Sequence, residues 1–286
     1  MNMKYKEIDD NEIRVISSNS NNGGGSPGNP FRKPKYGWLA LLLCVLVAGG
    51  LILVFGGTGE TEEETIVVKD HASVSCSQSK RKGYVEKADT LIDGVSLTIL
   101  MPCYASARLQ IGAETLQDTS AVLVVPAADV RKDNGEIVGT FVQDGNLVSK
   151  GQAKAGFCAI LNGSPVVGIS DATAYLEQTI ERNGCFFRQY PLVAAGQVVE
   201  NKPKGKSIRR ALAERDGDIF VVMSHDNLTF HDFSQALADM GVANAIYLVG
   251  SSAFGFAIDK EGNRMEFGLS PSGLVLPKNA NYIVWK

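Results

Sequence analysis

Residues 38–55 (WLALLLCVLVAGGLILVF) hold eighteen consecutive positions without a charge. At about 1.5 Å per residue, such a run nearly spans a hydrocarbon core of about 30 Å. A core helix of a globular domain keeps a polar face, and this segment has none. The pattern therefore predicts a transmembrane helix over residues 37–57, with Tyr36 and Trp38 at the membrane interface. Many residues precede the run, and Val54-Phe55-Gly56 is a poor cleavage site, so an uncleaved signal-anchor is expected rather than a removed signal peptide. Arg32, Lys33 and Lys35 lie before the run, and Glu60, Glu62, Glu63 and Glu64 lie after it. The basic flank stays inside. This predicts a single-pass protein in the cell membrane, its N-terminus cytoplasmic and its C-terminal body exported, into the periplasm of a Gram-negative cell. Residues 1–36 include SSNSNNGGGSPGNP, turn formers with nothing to bury, and are expected to form a disordered cytoplasmic tail. Residues 58–69 read as an acidic linker and residues 70–286 as one exported domain.

Within that domain the apolar positions fall in short runs. Residues 95–101 (VSLTILM), 121–125 (AVLVV, stopped by Pro126), 219–223 (IFVVM) and 245–249 (AIYLV) predict strands. Asp133-Asn134-Gly135 and Gln143-Asp144-Gly145 predict turns. One helix is expected over residues 172–182, ending near Gly184. A second begins at Thr229-Phe230-His231-Asp232, a capping box with Asp in place of Glu. Phe233, Leu237 and Met240 line one of its faces, and Gly241 ends it. Strands outnumber helices without a regular βαβ alternation. The expected class is α+β, a single exported domain with a mixed or antiparallel sheet and a few packed helices.

Composition narrows the chemistry. Of 286 residues, 44% are hydrophobic and 21% charged, with 28 Lys+Arg against 31 Asp+Glu. From Thr65 onward the balance is 22 basic to 23 acidic residues, so no basic field exists for nucleic acid. Cys44 lies in the membrane run; Cys76, Cys103, Cys158 and Cys185 lie on the exported side. Four cysteines in an oxidising compartment predict two disulfides, with three possible connectivities. Sequence neighbours, Cys76–Cys103 and Cys158–Cys185, are the expected pairs. The cysteine spacings match no zinc signature, and the three histidines add none, so neither a metal nor a cofactor is expected.

The run SIRRALAERDGDIFVVMSHDNLTFHDFSQALADMGVANAIYLVGSSAFGFAI, residues 207–258, resembles the phosphodiester glycosidase family. That family includes the mannose 6-phosphate uncovering enzyme and many bacterial envelope proteins. Its parts are an Arg-containing strand (Ile208-Arg209-Arg210-Ala211-Leu212), a second strand, a helix with a Leu-Gly-Ala-type stop, and a strand entering a Gly/Ser-rich loop. Ala155-Gly156-Phe157-Cys158 and Cys185-Phe186-Phe187-Arg188-Gln189 look like the upstream half, extending the resemblance over residues 150–286. Residues 184–193 and 244–251 are also similar to a branch found in gut-type Bacteroidetes. Two positions depart from the family. Its Asn-Gly-Gly-Phe-Phe segment is Lys154-Ala155-Gly156-Phe157-Cys158 here, and its Leu-Asp-Gly-Gly-Gly-Ser is Leu248-Val249-Gly250-Ser251-Ser252.

The resemblance implies a membrane-anchored hydrolase of a sugar phosphodiester or a related envelope glycan. Loss of the Asn and Asp positions favours the alternative, a catalytically degenerate module that binds envelope carbohydrate or a protein. Arginine suits the phosphate because its planar fork binds two oxygens at once. Arg209 and Arg210 are both candidates to bind substrate; being successive, on a strand they face opposite ways, so one is expected to face the pocket, Arg209 by preference, and the other to be solvated. Arg188 is a second phosphate candidate. Gly250, Ser251 and Ser252 are expected to offer backbone N–H groups to an anion. His225 and Asp226, in an expected loop after residues 219–223, are the candidates for acid–base work. His231 is expected to cap or pack.

Overall fold

The computed structural model describes residues 82–151, 154–270 and 276–286. The tail, the apolar run 38–55, the acidic linker and Cys76 lie outside the described residues. Among those described, no helix is long and apolar enough to cross a membrane.

In chain order the strands begin with β1 (Tyr84–Ile92), β2 (Val95–Cys103), β3 (Ala107–Ile111), β4 (Leu123–Pro126), β5 (Phe141–Gln143) and β6 (Asn146–Ser149). There follow β7 (Gly156–Leu161), β8 (Ser164–Ile169), helix α1 (Ala174–Glu181), β9 (Cys185–Gln189), β10 (Pro191–Ala194) and β11 (Gln197–Val198). Then come β12 (Ser207–Arg215), β13 (Asp218–Leu228), helix α2 (Phe230–Asp239), β14 (Asn244–Leu248), β15 (Gly255–Ile258), β16 (Arg264–Phe267) and β17 (Asn281–Trp285). They form three antiparallel sheets: β1-β2-β13-β12-β14-β10-β11, β16-β15-β4-β17-β3 and β6-β5-β9-β7-β8. The α+β class holds, and the sheets are antiparallel rather than mixed.

Local chemistry sets the hairpins. Asp93-Gly94, Asp144-Gly145, Asn162-Gly163 and Asp216-Gly217 all carry positive φ at both turn positions. Two-residue loops of this kind match the twist of the strands they join. Helix α2 starts where expected, because the Thr229 hydroxyl accepts from the Asp232 N–H at 3.0 Å. Gly241 ends it with φ of 83°. At α1 the left-handed residue is Asn183, not Gly184. Gly184 is demanded by close approach instead, since a Cβ there would lie 2.6 Å from the Ile160 carbonyl oxygen.

The seven-stranded sheet is covered on both faces. Phe220, Val222, Ala211, Ala213 and Ala245 pack with Phe233 and Leu237 of α2. Leu100, Leu212, Val221, Ile246 and Leu248 face the other way, onto Leu123, Phe141, Phe187 and Ile283 of the other sheets. Strand β12 is therefore buried on both sides, which decides the fate of its two arginines below.

The Cys158–Cys185 pairing is not formed: both thiols are free and buried. In the β7/β9 ladder Cys158 stands opposite Phe187, and Cys185 opposite Ile160. The two cysteines are thus diagonal neighbours, and such positions lie roughly 7–8 Å apart, farther than the Cβ separation a disulfide needs. Burial pushes both thiols up, away from the reactive thiolate form. Cys103 is also free.

The C-terminal residue is tied into the body. Lys286 pairs with Asp118, and together with Ser120 it holds that carboxyl down at about 2. A carboxylate lowered on folding stabilises fully above its unfolded range, and the contribution disappears as pH falls through the folded value. Asp118→Asn is expected to lower stability to urea at pH 7 and to match the parent near pH 2. The same loss at both pH values would show that the ion pair is not its source.

Candidate functional site

Strand β12 sends one guanidinium to each face of its sheet, and both are buried. The expectation of one pocket arginine and one solvated arginine is therefore corrected. Arg209 lies on the α2 side, its guanidinium 4.1 Å from the centre of the Phe230 ring. Its Nε donates to the Leu228 carbonyl at 2.9 Å, and its Nη2 donates to the Gly205 carbonyl. Arg210 lies on the opposite face. Its Nη1 donates to the carbonyls of Val249 at 3.0 Å and Ala253 at 2.6 Å. Its Nη2 makes only a 3.5 Å contact with the Ser251 carbonyl, and its Nε has no hydrogen-bond partner.

Neither arginine pairs with a carboxylate among the described residues, and the same is true of Arg188. Arg188 is buried and donates to the carbonyls of Lys154, Ser170 and Asp171. A buried charge without a counter-charge carries a desolvation cost of several kcal/mol, which carbonyl acceptors offset only in part. Burial accordingly lowers the Arg210 pKa to about 10, leaving it a cation at neutral pH. Arg209 is lowered by the same cause, with Tyr247 opposing the shift.

Arg210 lines a cavity of about 440 Å³, within the roughly 300–1,000 Å³ range of small-molecule sites. Its polar lining is Arg210, Ser224, Ser251 and Ser252. Ile208, Met223, Phe267 and Leu269 supply the apolar lining. Phe267 stacks on the Arg210 guanidinium at 4.8 Å. Gly255 leaves room for that ring, since a Cβ there would lie 2.3 Å from it. Leu269 is held at the loop by its N–H, which donates to the Ser252 carbonyl at 3.0 Å.

The loop after β14 differs from the expected anion nest. The Gly250 N–H donates to the Tyr247 hydroxyl at 3.0 Å, and the Ser251 N–H to the Ile208 carbonyl at 2.9 Å. These two amides are spent within the fold, and the loop turns three carbonyls toward Arg210. Gly250 is required because a Cβ would lie 2.4 Å from the Ile208 oxygen.

His225 and Asp226 do not lie in a loop; β13 continues through them to Leu228. Between Ile208 and Arg210 the register with β13 jumps from Asn227 to Met223, a bulge that re-aims side chains. Ser224 closes it, accepting from the Arg209 N–H and donating to the Asp226 carbonyl, both at 2.8 Å. His225 points to the β2 side, where its Nε2 lies 2.8 Å from the Thr98 hydroxyl, which donates to Asp89 at 2.5 Å. Asp226 is exposed. Neither residue is among those lining the cavity. His231 pairs with Glu200 at 2.5 Å on the surface.

A second polar cluster was not foreseen. Lys154, at the position where the family carries Asn, is almost fully buried, with Nζ 2.5 Å from Asp129 and 3.0 Å from Gln189. It also lies 4.4 Å from the centre of the Tyr190 ring. Burial and Asp129 raise the Tyr247 pKa, and the Gly250 N–H and both β12 arginines oppose the shift. The only sequence signal was a lysine placed just before a run of buried apolar residues.

The phosphodiester glycosidase family model matches residues 119–270, more than half of the chain. The chain belongs to the phosphodiester glycosidase family. The match begins upstream of residue 150, so it takes in Asp129, and it ends before β17. A solved relative is the zebrafish N-acetylglucosamine-1-phosphodiester alpha-N-acetylglucosaminidase catalytic domain auto-inhibited by its pro-peptide. It is 14% identical over 71% of this chain and 81% of that one, with a TM-score of 0.50. A hypothetical protein from Synechocystis is 13% identical over 71% of this chain and 62% of that one, with a TM-score of 0.51. At these identities both show the shared fold. No curated protein matches the chain in sequence. The two positions at which the sequence was expected to depart from the family are both structural: Lys154 pairs with Asp129, and the Val249 carbonyl is an acceptor for Arg210.

Tyr247→Phe removes the acceptor for the Gly250 N–H. Leaving a buried amide unpaired is expected to cost about 1–3 kcal/mol in chemical unfolding. A loss below about 0.5 kcal/mol would show that the loop finds another acceptor.

Proposed function

We propose that this protein is a membrane-anchored, exported member of the phosphodiester glycosidase family that binds a sugar phosphodiester at Arg210. One observation carries this reading: Arg210 is a buried cation without a carboxylate partner, and it lines a cavity. Its buried Nε has no hydrogen-bond partner and its Nη2 only a long carbonyl contact, so a phosphate that reached this edge would meet both donors of the side-on fork. Ser251, in the same lining, supplies a hydroxyl for a remaining phosphate or sugar oxygen. The membrane anchor rests on the uncharged run 38–55 and its flanking charges.

Binding without turnover is the form of this function that the geometry favours. Val249 holds the place of the family's acid, and His225 and Asp226 lie outside the cavity lining. Hydrolysis is the second reading, favoured by the Asp89–Thr98–His225 chain, whose histidine follows the cavity residue Ser224 directly. The test uses the full-length protein and an N-acetylglucosamine-1-phosphodiester, the linkage in the name of the zebrafish relative. Calorimetric binding is expected, weakened at least tenfold by Arg210→Met, with no free sugar released. Release of sugar that disappears in His225→Ala would establish the second reading. No binding at millimolar ligand would overturn both.

A further inference from the structure

The cavity at Arg210 has a lining of two kinds. The first half of it is polar, Arg210 with Ser224, Ser251 and Ser252, and Ser224 spends its hydroxyl proton on the Asp226 carbonyl. Its remaining lining is Ile208, Met223, Phe267 and Leu269, and Leu269 is 55% exposed. A free sugar phosphate or a phosphorylated glycan satisfies the first half and leaves the second against water. Exposed leucines are ordinary when scattered. This one is different, because it lines the same cavity as a buried cation without a carboxylate partner.

The geometry points to a sugar-1-phosphate ester of a lipid alcohol as the ligand, with the phosphate at Arg210 and the first carbons of the lipid along Ile208, Met223, Phe267 and Leu269. This inference rests on the proposed phosphodiester site and adds the identity of the second ester group. Charge complementarity places the phosphate, and area burial places the chain: each methylene removed from water adds to affinity, whereas a hydrophilic ester group gains nothing from these side chains. The anchor fits such a ligand. The 26 residues from Gly56 to Arg81 reach at most about 90 Å when fully extended, so the domain stays in the vicinity of the membrane that holds the lipid.

The test compares three ligands on full-length protein in phosphatidylcholine nanodiscs. They are the methyl and decyl diesters of the same sugar 1-phosphate, and the decyl glycoside of that sugar without phosphate. The decyl diester is expected to bind at least tenfold tighter than the methyl diester, and the decyl glycoside weakly. Leu269→Ser is expected to shrink the decyl-to-methyl ratio severalfold. Partition of the decyl chain into the nanodisc is common to both proteins, so a changed ratio reports on the protein. Methyl and decyl diesters binding within twofold of each other would overturn the lipid assignment and leave the phosphodiester site standing. A ratio unaffected by Leu269→Ser would also overturn it, by assigning the gain to the bilayer. A decyl glycoside that binds as tightly as the decyl diester would overturn the phosphate reading itself.

Discussion

Two positive charges on the central strand of a sheet covered on both faces constrain everything around them. Arg209 and Arg210 are almost wholly buried on β12, so each must be surrounded by acceptors. Around Arg209 these are the Gly205 and Leu228 carbonyls with the Phe230 ring, which ties the end of β13 to the start of α2. Around Arg210 they are the carbonyls of Val249, Ser251 and Ala253. The loop after β14 therefore takes its shape from the charge beneath it. The glycine at 250, the hydroxyl of Tyr247 and the bulge at Ser224 all follow from holding that arrangement.

The same constraint explains how the family pattern is kept while its acidic and amide positions change. A carboxylate at position 249 would supply Arg210 with a counter-charge; a valine supplies only its backbone oxygen. The deficit stays in the cavity wall. At the other departure, Lys154 brings its own partner, because Asp129 reaches it from the turn after β4. One departure is matched by a carboxylate within the fold, and the other leaves Arg210 with backbone acceptors alone.

Much of the fold was legible in short-range signals. Thr229 and Gly241 bracket α2, Asp144-Gly145 forms the expected turn, and the runs at 95–101 and 219–223 lie within strands; the run at 121–125 becomes a strand only from Leu123 and continues through Pro126, and that at 245–249 ends at Leu248. Strand β1 went unseen because it lies at a sheet edge and is largely polar, so it carries no apolar run. The site was less legible, for reasons of range. Alternation on β12 does send Arg209 and Arg210 to opposite faces. It cannot reveal that the face beyond Arg210 is closed by Phe267, more than fifty residues later. The placement of His225 depends on a bulge closed by Ser224 and Arg209, contacts absent from any local pattern. Cys158 and Cys185 are close in the ladder, but a two-residue offset separates neighbours from partners.

Strand β17 lies between β3 and β4, and Asn281 also bonds back to the Ala128 backbone. The strand that joins β3 to the rest of the five-stranded sheet is thus made more than 150 residues after β4. Until residues 281–285 arrive, β3 and β4 have no neighbour in common, and their apolar face has nothing to close on. Non-local pairing of this kind makes folding wait for the whole chain. A sheet built in this order keeps the facing edges of β3 and β4 unpaired until β17 has been made.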